Sequence, residues 1–229
     1  KEVPERIAAD GSVLTPLDEA KLLQAVDELV ADGVEAVVIC FLFSFANSSH
    51  ESRAYALISE HYPQLALAVS HQVDPAFREY ERTVVTAFDG YVKPVIDRYL
   101  TRLEDGLQAK GVVAPCQVMQ SRGGVMASKI ARSKPVRLFL SGPAGGVIGA
   151  RISGANAGIN DLITVDIGGT SCDIALINEG KALIRSEGVI DGYPLRVPMV
   201  DVNSIGSGGG SIAWVDAAGT LRVGPESAG

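Results

Sequence analysis

Residues 162–177 read Leu162-Ile163-Thr164-Val165-Asp166-Ile167-Gly168-Gly169-Thr170-Ser171-Cys172-Asp173-Ile174-Ala175-Leu176-Ile177, two apolar runs of strand length separated by paired glycines and hydroxyls. A buried strand that emerges on one aspartate, breaks at glycine and resumes after a second aspartate predicts a β-hairpin. Glycines let backbone N–H groups turn toward an anion, and Thr170 and Ser171 add hydroxyl donors, so the tip has the composition of a phosphate cradle. Asp166, at the mouth of an apolar strand, needs a partner, because an unpaired carboxylate there costs several kcal/mol. A hydrated magnesium ion suits it. A tight turn with glycines at positive φ and aspartates as caps fits the same residues.

Composition narrows the field. Of 229 residues, 47% are hydrophobic and 21% charged, enough for one large or two small globular units. The net charge of -7 and pI near 5.0, without a Lys/Arg cluster, exclude a nucleic-acid or acidic-membrane surface. Cys40, Cys116 and Cys172 lack metal-ligand spacing and read as reduced thiols. The longest apolar run, residues 34–45, contains Glu35 and is too short to span a bilayer. With no signal peptide, the expected location is cytoplasmic. The first residue is Lys1 rather than Met, and the last six, Gly224-Pro225-Glu226-Ser227-Ala228-Gly229, resemble a turn, so the chain reads as a piece of a longer polypeptide.

Elements alternate as in an α/β protein. Thr15-Pro16-Leu17-Asp18 predicts a helix capped by Thr15, with Leu22, Leu23, Val26, Leu29 and Val30 as its apolar stripe and Gly33 as its stop. Residues 37–43 predict a buried strand, Asn47-Ser48-Ser49 caps a helix to about Tyr62, and residues 65–69 predict the next strand. Helix then runs from about Phe77, breaks at Asp89-Gly90 and restarts at Pro94. Residues 116–120 and 136–140 predict strands on either side of Ser121-Arg122-Gly123-Gly124. Ser141-Gly142-Pro143-Ala144-Gly145-Gly146-Val147-Ile148-Gly149 predicts a helix to about Gly158, since the spacing of Val147, Ile148 and Ile152 is helical. Each helical glycine costs about 1 kcal/mol, which implies a close neighbour. Asn178-Glu179-Gly180 predicts a turn into a third antiparallel strand at 181–186. Ile205-Gly206-Ser207-Gly208-Gly209-Gly210-Ser211-Ile212 is flanked by apolar residues and fits an ordered loop as well as a linker.

Other polar groups carry less signal. His50, His61 and His71 have no metal-ligand spacing and read as capping or surface residues, and Glu79, Glu81 and Arg82 as a solvated helix face. No general base can be named.

Three segments, at 141–147, 166–173 and 205–212, resemble the hydantoinase/oxoprolinase family, which includes ATP-dependent hydantoinase A subunits, 5-oxoprolinases and acetone carboxylase subunits. The likeness extends to Phe41-Leu42-Phe43-Ser44-Phe45 with His50-Glu51, to Ser70-His71, to Glu79-Tyr80-Glu81-Arg82-Thr83 and to the last six residues. Cys172 stands where threonine is usual, Arg122 and Asp89-Gly90 where Asn and Asn-Ala are, and Ser207 where alanine is.

That resemblance implies a partial actin-like ATPase (ribonuclease H-like) α/β fold, the end of a first lobe plus the start of a second. Residues 1–72 would close the N-terminal domain. Residues 73–158 would form a helical segment and hinge helix, with Gly142, Gly145, Gly146 and Gly149 at the hinge, and 159–229 would open the second lobe. The family's first phosphate loop and its adenosine-binding segments have no counterpart here. The implied activity is ATP-dependent opening of a cyclic amide or imide, activated by phosphorylation of its carbonyl oxygen. ATP and Mg2+ would be the cofactors, with a second hydantoinase-type subunit or domain as partner in an oligomer. Gly168 and Gly169 would contact phosphate through backbone, Thr170 and Ser171 through hydroxyls. Asp166 would hold Mg2+ through water, and Asp173 would orient water or metal. Gly206, Ser207, Gly208, Gly209, Gly210 and Ser211 would form a second backbone nest facing nucleotide or substrate. The residues fit two further activities, an ATP-dependent ketone carboxylase and a nucleotide-gated hinge protein.

Overall fold

Arg6–Ile7 (β1) and Val13–Thr15 (β2) pair antiparallel, which removes Thr15 from the capping role predicted for it. Asp18 caps α1 (Glu19–Ala31) instead, its carboxylate accepting the Lys21 amide at 2.9 Å. Gly33, at φ +81°, ends the turn after this helix. β3 (Ala36–Ile39), α2 (Ser49–His61) and β4 (Ala66–Val69) then form a right-sized parallel unit, β3 and β4 pairing Ala36 to Ala66 through Ile39 to Val69. Asn47 accepts the Ser49 amide at 3.0 Å and opens α2. Leu22 and Val26 of α1, Ala54, Leu57 and Ile58 of α2, and Val37, Ile39, Leu67 and Val69 of the strands share one core. Each such side chain contributes about 1.5–3 kcal/mol by leaving water.

After α3 (Ser70–Val73), α4 (Glu79–Ala109) runs unbroken for 31 residues, through both Gly90 and Pro94. The break predicted at Asp89-Gly90 does not occur, and packing supplies the reason. A Cβ on Gly90 would stand 2.5 Å from Val38 Cγ2, so the glycine lets α4 lie directly against β3. Burial gained along that contact outweighs the propensity cost of Gly90 and the bond that Pro94 cannot make.

Asp89, fully buried on this helix, accepts the Val136 amide at 3.1 Å through Oδ1, while Oδ2 has no hydrogen-bond partner among the described residues and sits 3.8 Å from Lys93 Nζ. Lys93 itself donates to the Leu67 and Ser133 carbonyls at 2.8 and 3.1 Å. Burial pushes Asp89 above the usual carboxylate range and Lys93 below the usual amine range. A carboxyl raised on folding stabilises the native state where it is protonated, and that contribution is lost as pH climbs through the raised value. Asp89→Asn should therefore gain on the wild type as pH rises from about 4 toward neutrality. Urea midpoints measured across that range should diverge; parallel curves would mean that Asp89 does not ionise at cost.

β5 (Gln117–Met119) and β6 (Val125–Ala127) form a hairpin turned by Gly123 and Gly124, at φ +78° and +82°. α5 (Ser128–Ser133) follows. The strand predicted at 136–140 is instead a 3-10 turn, Pro135–Leu138, because Pro135 has no amide to give a ladder and the Val136 amide is held by Asp89. α6 (Ser141–Asn156) confirms the glycine-containing helix. β7 (Leu162–Ile167), β8 (Cys172–Asn178) and β9 (Lys181–Ala182) are antiparallel, as expected of the hairpin and its third strand. That third strand stops short at Ala182, and β10 (Ile184–Arg185) pairs with β13 (Met199–Val200) instead. β11 (Gly188–Ile190) pairs with β12 (Tyr193–Leu195), β14 (Val202–Ile205) joins the free edge of β8, and β15 (Ser211–Val215) pairs with β16 (Leu221–Ser227).

This computed structural model describes residues 1–228 and divides into two units. One comprises Lys1–Gln117, Ala127–Val136 and Glu187–Val197; the other comprises Val118–Met126, Arg137–Ser186 and the described residues from Pro198 onward. No helix among the described residues is long and apolar enough to cross a membrane.

Candidate functional site

The β7–β8 register explains why two aspartates end two apolar strands. Alternation sends Leu162, Thr164 and Asp166 of β7 to one face, opposite Ile177, Ala175 and Asp173 of β8. The first part of that face is core, where Ala175, Ile177, Val200 and Val202 pack on Ala144 and Val147 of α6. At the hairpin end the row becomes Asp166, Asp173 and Ser204, cross-strand neighbours on β7, β8 and β14. The Ser204 hydroxyl donates to Asp173 Oδ1. A Cβ on Gly146 would lie 3.4 Å from Asp166 Oδ2, so this helical glycine gives the carboxylate room. Like charges placed directly opposite across a ladder repel, and a cation between or beside them relieves it.

Neither Gly168 nor Gly169 adopts positive φ, so the tight-turn reading of these glycines does not describe the hairpin. The Gly168 amide donates to the Ser171 carbonyl at 2.9 Å and is not free for an anion, contrary to the expectation for that residue. Among the described residues the amides of Gly169, Thr170 and Ser171 have no acceptor in the chain, and the tip is open to solvent at Gly169 and Thr170. Three unengaged N–H groups and two hydroxyls at one tip can take an anion.

The glycine loop after β14 does something other than the nest expected of it. Gly209 and Gly210 donate to the carbonyls of Gly168 and Gly169 at 2.9 and 2.8 Å, Gly208 donates to Ser211 Oγ at 2.8 Å, Ser207 to Ile205 and Ser211 to Gly208. Two of its amides hold the hairpin and three more are used within the loop or on β14, so these five are not presented to a ligand. A Cβ on Gly208 would stand 2.5 Å from the Gly168 oxygen and 2.8 Å from the Gly169 carbonyl carbon, so the two loops touch backbone to backbone. Sequence spacing gives no sign of this contact, although three consecutive glycines between apolar residues are a signal of close approach. On α6, Gly145 lies 3.7 Å from Met119 by the same measure, whereas Gly142 and Gly149 have nothing within 4 Å; Gly154, not singled out by sequence, meets Leu162 at 2.6 Å.

In the other unit the structure gathers residues that sequence left apart. Glu51, with no exposed surface, accepts the Phe41 amide at 2.8 Å and Ser70 Oγ at 2.6 Å on one oxygen, and the His71 amide at 2.9 Å and His71 Nδ1 at 2.7 Å on the other. Arg82 is 1% exposed, not part of a solvated face, and donates to Ser70 Oγ and to the Ala76 and Phe41 carbonyls at 3.1, 3.0 and 2.9 Å. Its guanidinium also lies 5.4 Å from the Phe45 ring centroid. Ser44 meets Ser70 at 3.0 Å, and burial pushes the nearby Cys40 thiol upward. His50 is likewise buried and bonds Glu5 at 2.8 Å; only His61 keeps the capping role expected, on the Leu57 carbonyl at 2.9 Å. All three cysteines are free thiols.

Residues 82–229 match the hydantoinase/oxoprolinase family model and residues 1–62 its N-terminal region. The chain is 39% identical to the caprolactamase subunit alpha of Pseudomonas jessenii over 98% of its own length and 32% of that protein. It is 31% identical to the acetone carboxylase beta subunit of Xanthobacter autotrophicus over 99% of its length and 32% of the relative. The crystal structure of the ATP-dependent caprolactamase from P. jessenii superposes with a TM-score of 0.86 at 38% identity, covering 99% of this chain and 33% of that one. Thus the chain spans about a third of the length of these relatives. On two family models that together cover most of its residues, the chain belongs to the hydantoinase/oxoprolinase family.

Proposed function

We propose that this chain is part of a longer ATP-dependent enzyme that opens a cyclic amide or imide after phosphorylating its carbonyl oxygen, on an actin-like ATPase fold. The observation that carries the proposal is the β7–β8 mouth, where paired carboxylates at Asp166 and Asp173 adjoin three unengaged amides at Gly169, Thr170 and Ser171. Oxygen donors in this number fit Mg2+, which is commonly held by one or two carboxylates together with phosphate and water. Asp166 would hold it through water, and Asp173, fixed by Ser204, would orient that water. Bound there, Mg2+ would neutralise phosphate charge.

The chain's own part is positioning. Gly169, Thr170 and Ser171 offer amides and hydroxyls to the transferring phosphate, and the 206–211 loop holds their backbone still. The hinge role of Gly142, Gly145, Gly146 and Gly149 belongs to the same proposal, as does a second subunit, since relatives carry subunit names. Similarity to the acetone carboxylase subunit supports ketone carboxylation as the second reading.

Calorimetric titration of Mg-ATP into the polypeptide at the full length of its relatives tests the site. Asp166→Ala should weaken binding by about tenfold or more, as loss of a water-mediated metal partner does. Unchanged affinity would remove Asp166 from the metal. Product analysis with hydantoin, 5-oxoproline, caprolactam and acetone separates the two reactions.

A further inference from the structure

Among the described residues β4 pairs only with β3, so its outer edge faces something other than sheet. It faces a groove of about 890 Å3 within the unit that holds both strands, walled by α2, α4 and α5 and in the size range of small-molecule pockets. Register decides which backbone groups point there. The Ala66 amide donates to the Glu35 carbonyl at 3.0 Å, toward β3, and the alternation of a parallel ladder then turns Leu65, Leu67 and Val69 outward. The Leu65 amide is used on the Tyr62 carbonyl at 3.0 Å. Those of Leu67 and Val69, both buried residues that line the groove, have no acceptor among the described residues. Buried amides are almost always paired, so this edge is short of two acceptors.

Another strand cannot supply them. Lys93 Nζ donates to the Leu67 carbonyl at 2.8 Å and to the Ser133 carbonyl at 3.1 Å, which lays a lysine head across the edge where a strand would pair. Charge selects the ligand. Four cations and two carboxylates line the groove, on a chain whose net charge is -7. Arg98 pairs with Glu35 at 2.8 Å, Arg132 pairs with Asp97 at 3.2 Å and with Glu104, and Lys93 has Asp89 at 3.8 Å. Lys129, exposed on α5, has no partner among the described residues. Two residues of strand separate the unpaired amides by about 7 Å, more than the oxygens of one carboxylate span.

We propose that this groove binds a small dicarboxylate of four or five carbons, one carboxylate accepting from the Leu67 amide and the other from the Val69 amide, with Lys129 supplying the unmatched positive charge. Charge-assisted bonds to buried amides are the strong kind, and they fix both ends of such a ligand.

Nitrogen-15 leucine and valine in the 229-residue chain report on the two amides directly. Adding glutarate should move the Leu67 and Val69 resonances together, along one binding curve. Acetate, which reaches one amide at a time, should need about tenfold more to move either. Lys129→Gln, an exposed substitution, should unfold at the wild-type urea midpoint and bind glutarate about tenfold more weakly. Calorimetry on the polypeptide at the full length of its relatives should return the same glutarate affinity. Silence at both amides would mean that the edge carries water alone. Equal affinity for acetate, or glutarate binding untouched by Lys129→Gln, would overturn the dicarboxylate. Loss of binding at full length would overturn the site itself, the groove then being covered by the rest of the protein.

Discussion

Glu51→Ala should destabilise the unit containing β3 and β4 by about 3–5 kcal/mol, since each buried donor left without its acceptor costs about 1–3 kcal/mol. Four donors lose their acceptor at once: two backbone amides, the Ser70 hydroxyl and His71 Nδ1. Buried Arg82 loses the carboxylate it shares through Ser70 while remaining held to two carbonyls and Ser70. A double-mutant cycle with Arg82→Met separates this from cavity effects. Removing both charges should cost clearly less than the sum of the single losses, because the second substitution deletes a charge the first has stranded. Urea midpoints for the four proteins provide the test, and additive losses would mean that the two side chains act independently.

Gly208→Ala should lower ATP turnover by about 10²-fold with the fold retained, the scale of effect expected when reacting groups are displaced by an ångström. The added methyl would meet the Gly168 oxygen at 2.5 Å and the Gly169 carbonyl at 2.8 Å, and both are backbone atoms that move only by moving the hairpin tip. Gly209→Ala is the matched control. Its Cβ would stand 3.8 Å from the same Gly168 oxygen, an ordinary contact, so turnover should stay within a few-fold of wild type. Steady-state kinetics on both variants distinguish a cradle set by backbone contact from a flexible loop, for which the two substitutions would behave alike.

Local order was readable wherever one residue sufficed to impose it. Gly33 as a stop, Asn47 at the start of α2 and the β7–β8 hairpin with its aspartates all follow from side-chain chemistry within a few positions. Failures arose where a distant partner decides. Gly90 reads as a helix breaker until Val38 is seen filling the space beside it, and Val136 reads as strand until Asp89 takes its amide. Arg82 and Glu51 show the same limit for the site. Arg82, beside Glu79 and Glu81, reads as solvated charge, and only the fold reveals that one Ser70 hydroxyl lies between it and Glu51. The hairpin tip was legible as a motif, but not its support, because Gly208 lies 40 residues beyond Gly168 in sequence and no periodicity links them.

That separation bears on how such a protein can vary. The hairpin and the loop after β14 are joined through main chain alone, by the carbonyls of Gly168 and Gly169 and the amides of Gly209 and Gly210. Side chains at neighbouring positions can drift without disturbing the join, whereas an insertion or deletion of one residue in either loop would slip the donors past their acceptors. A chimera that transplants residues 166–173 from a relative should therefore work only when the recipient's 206–211 loop has matching length, whatever its side chains. The unit of inheritance here is a pair of lengths, held in register 40 residues apart.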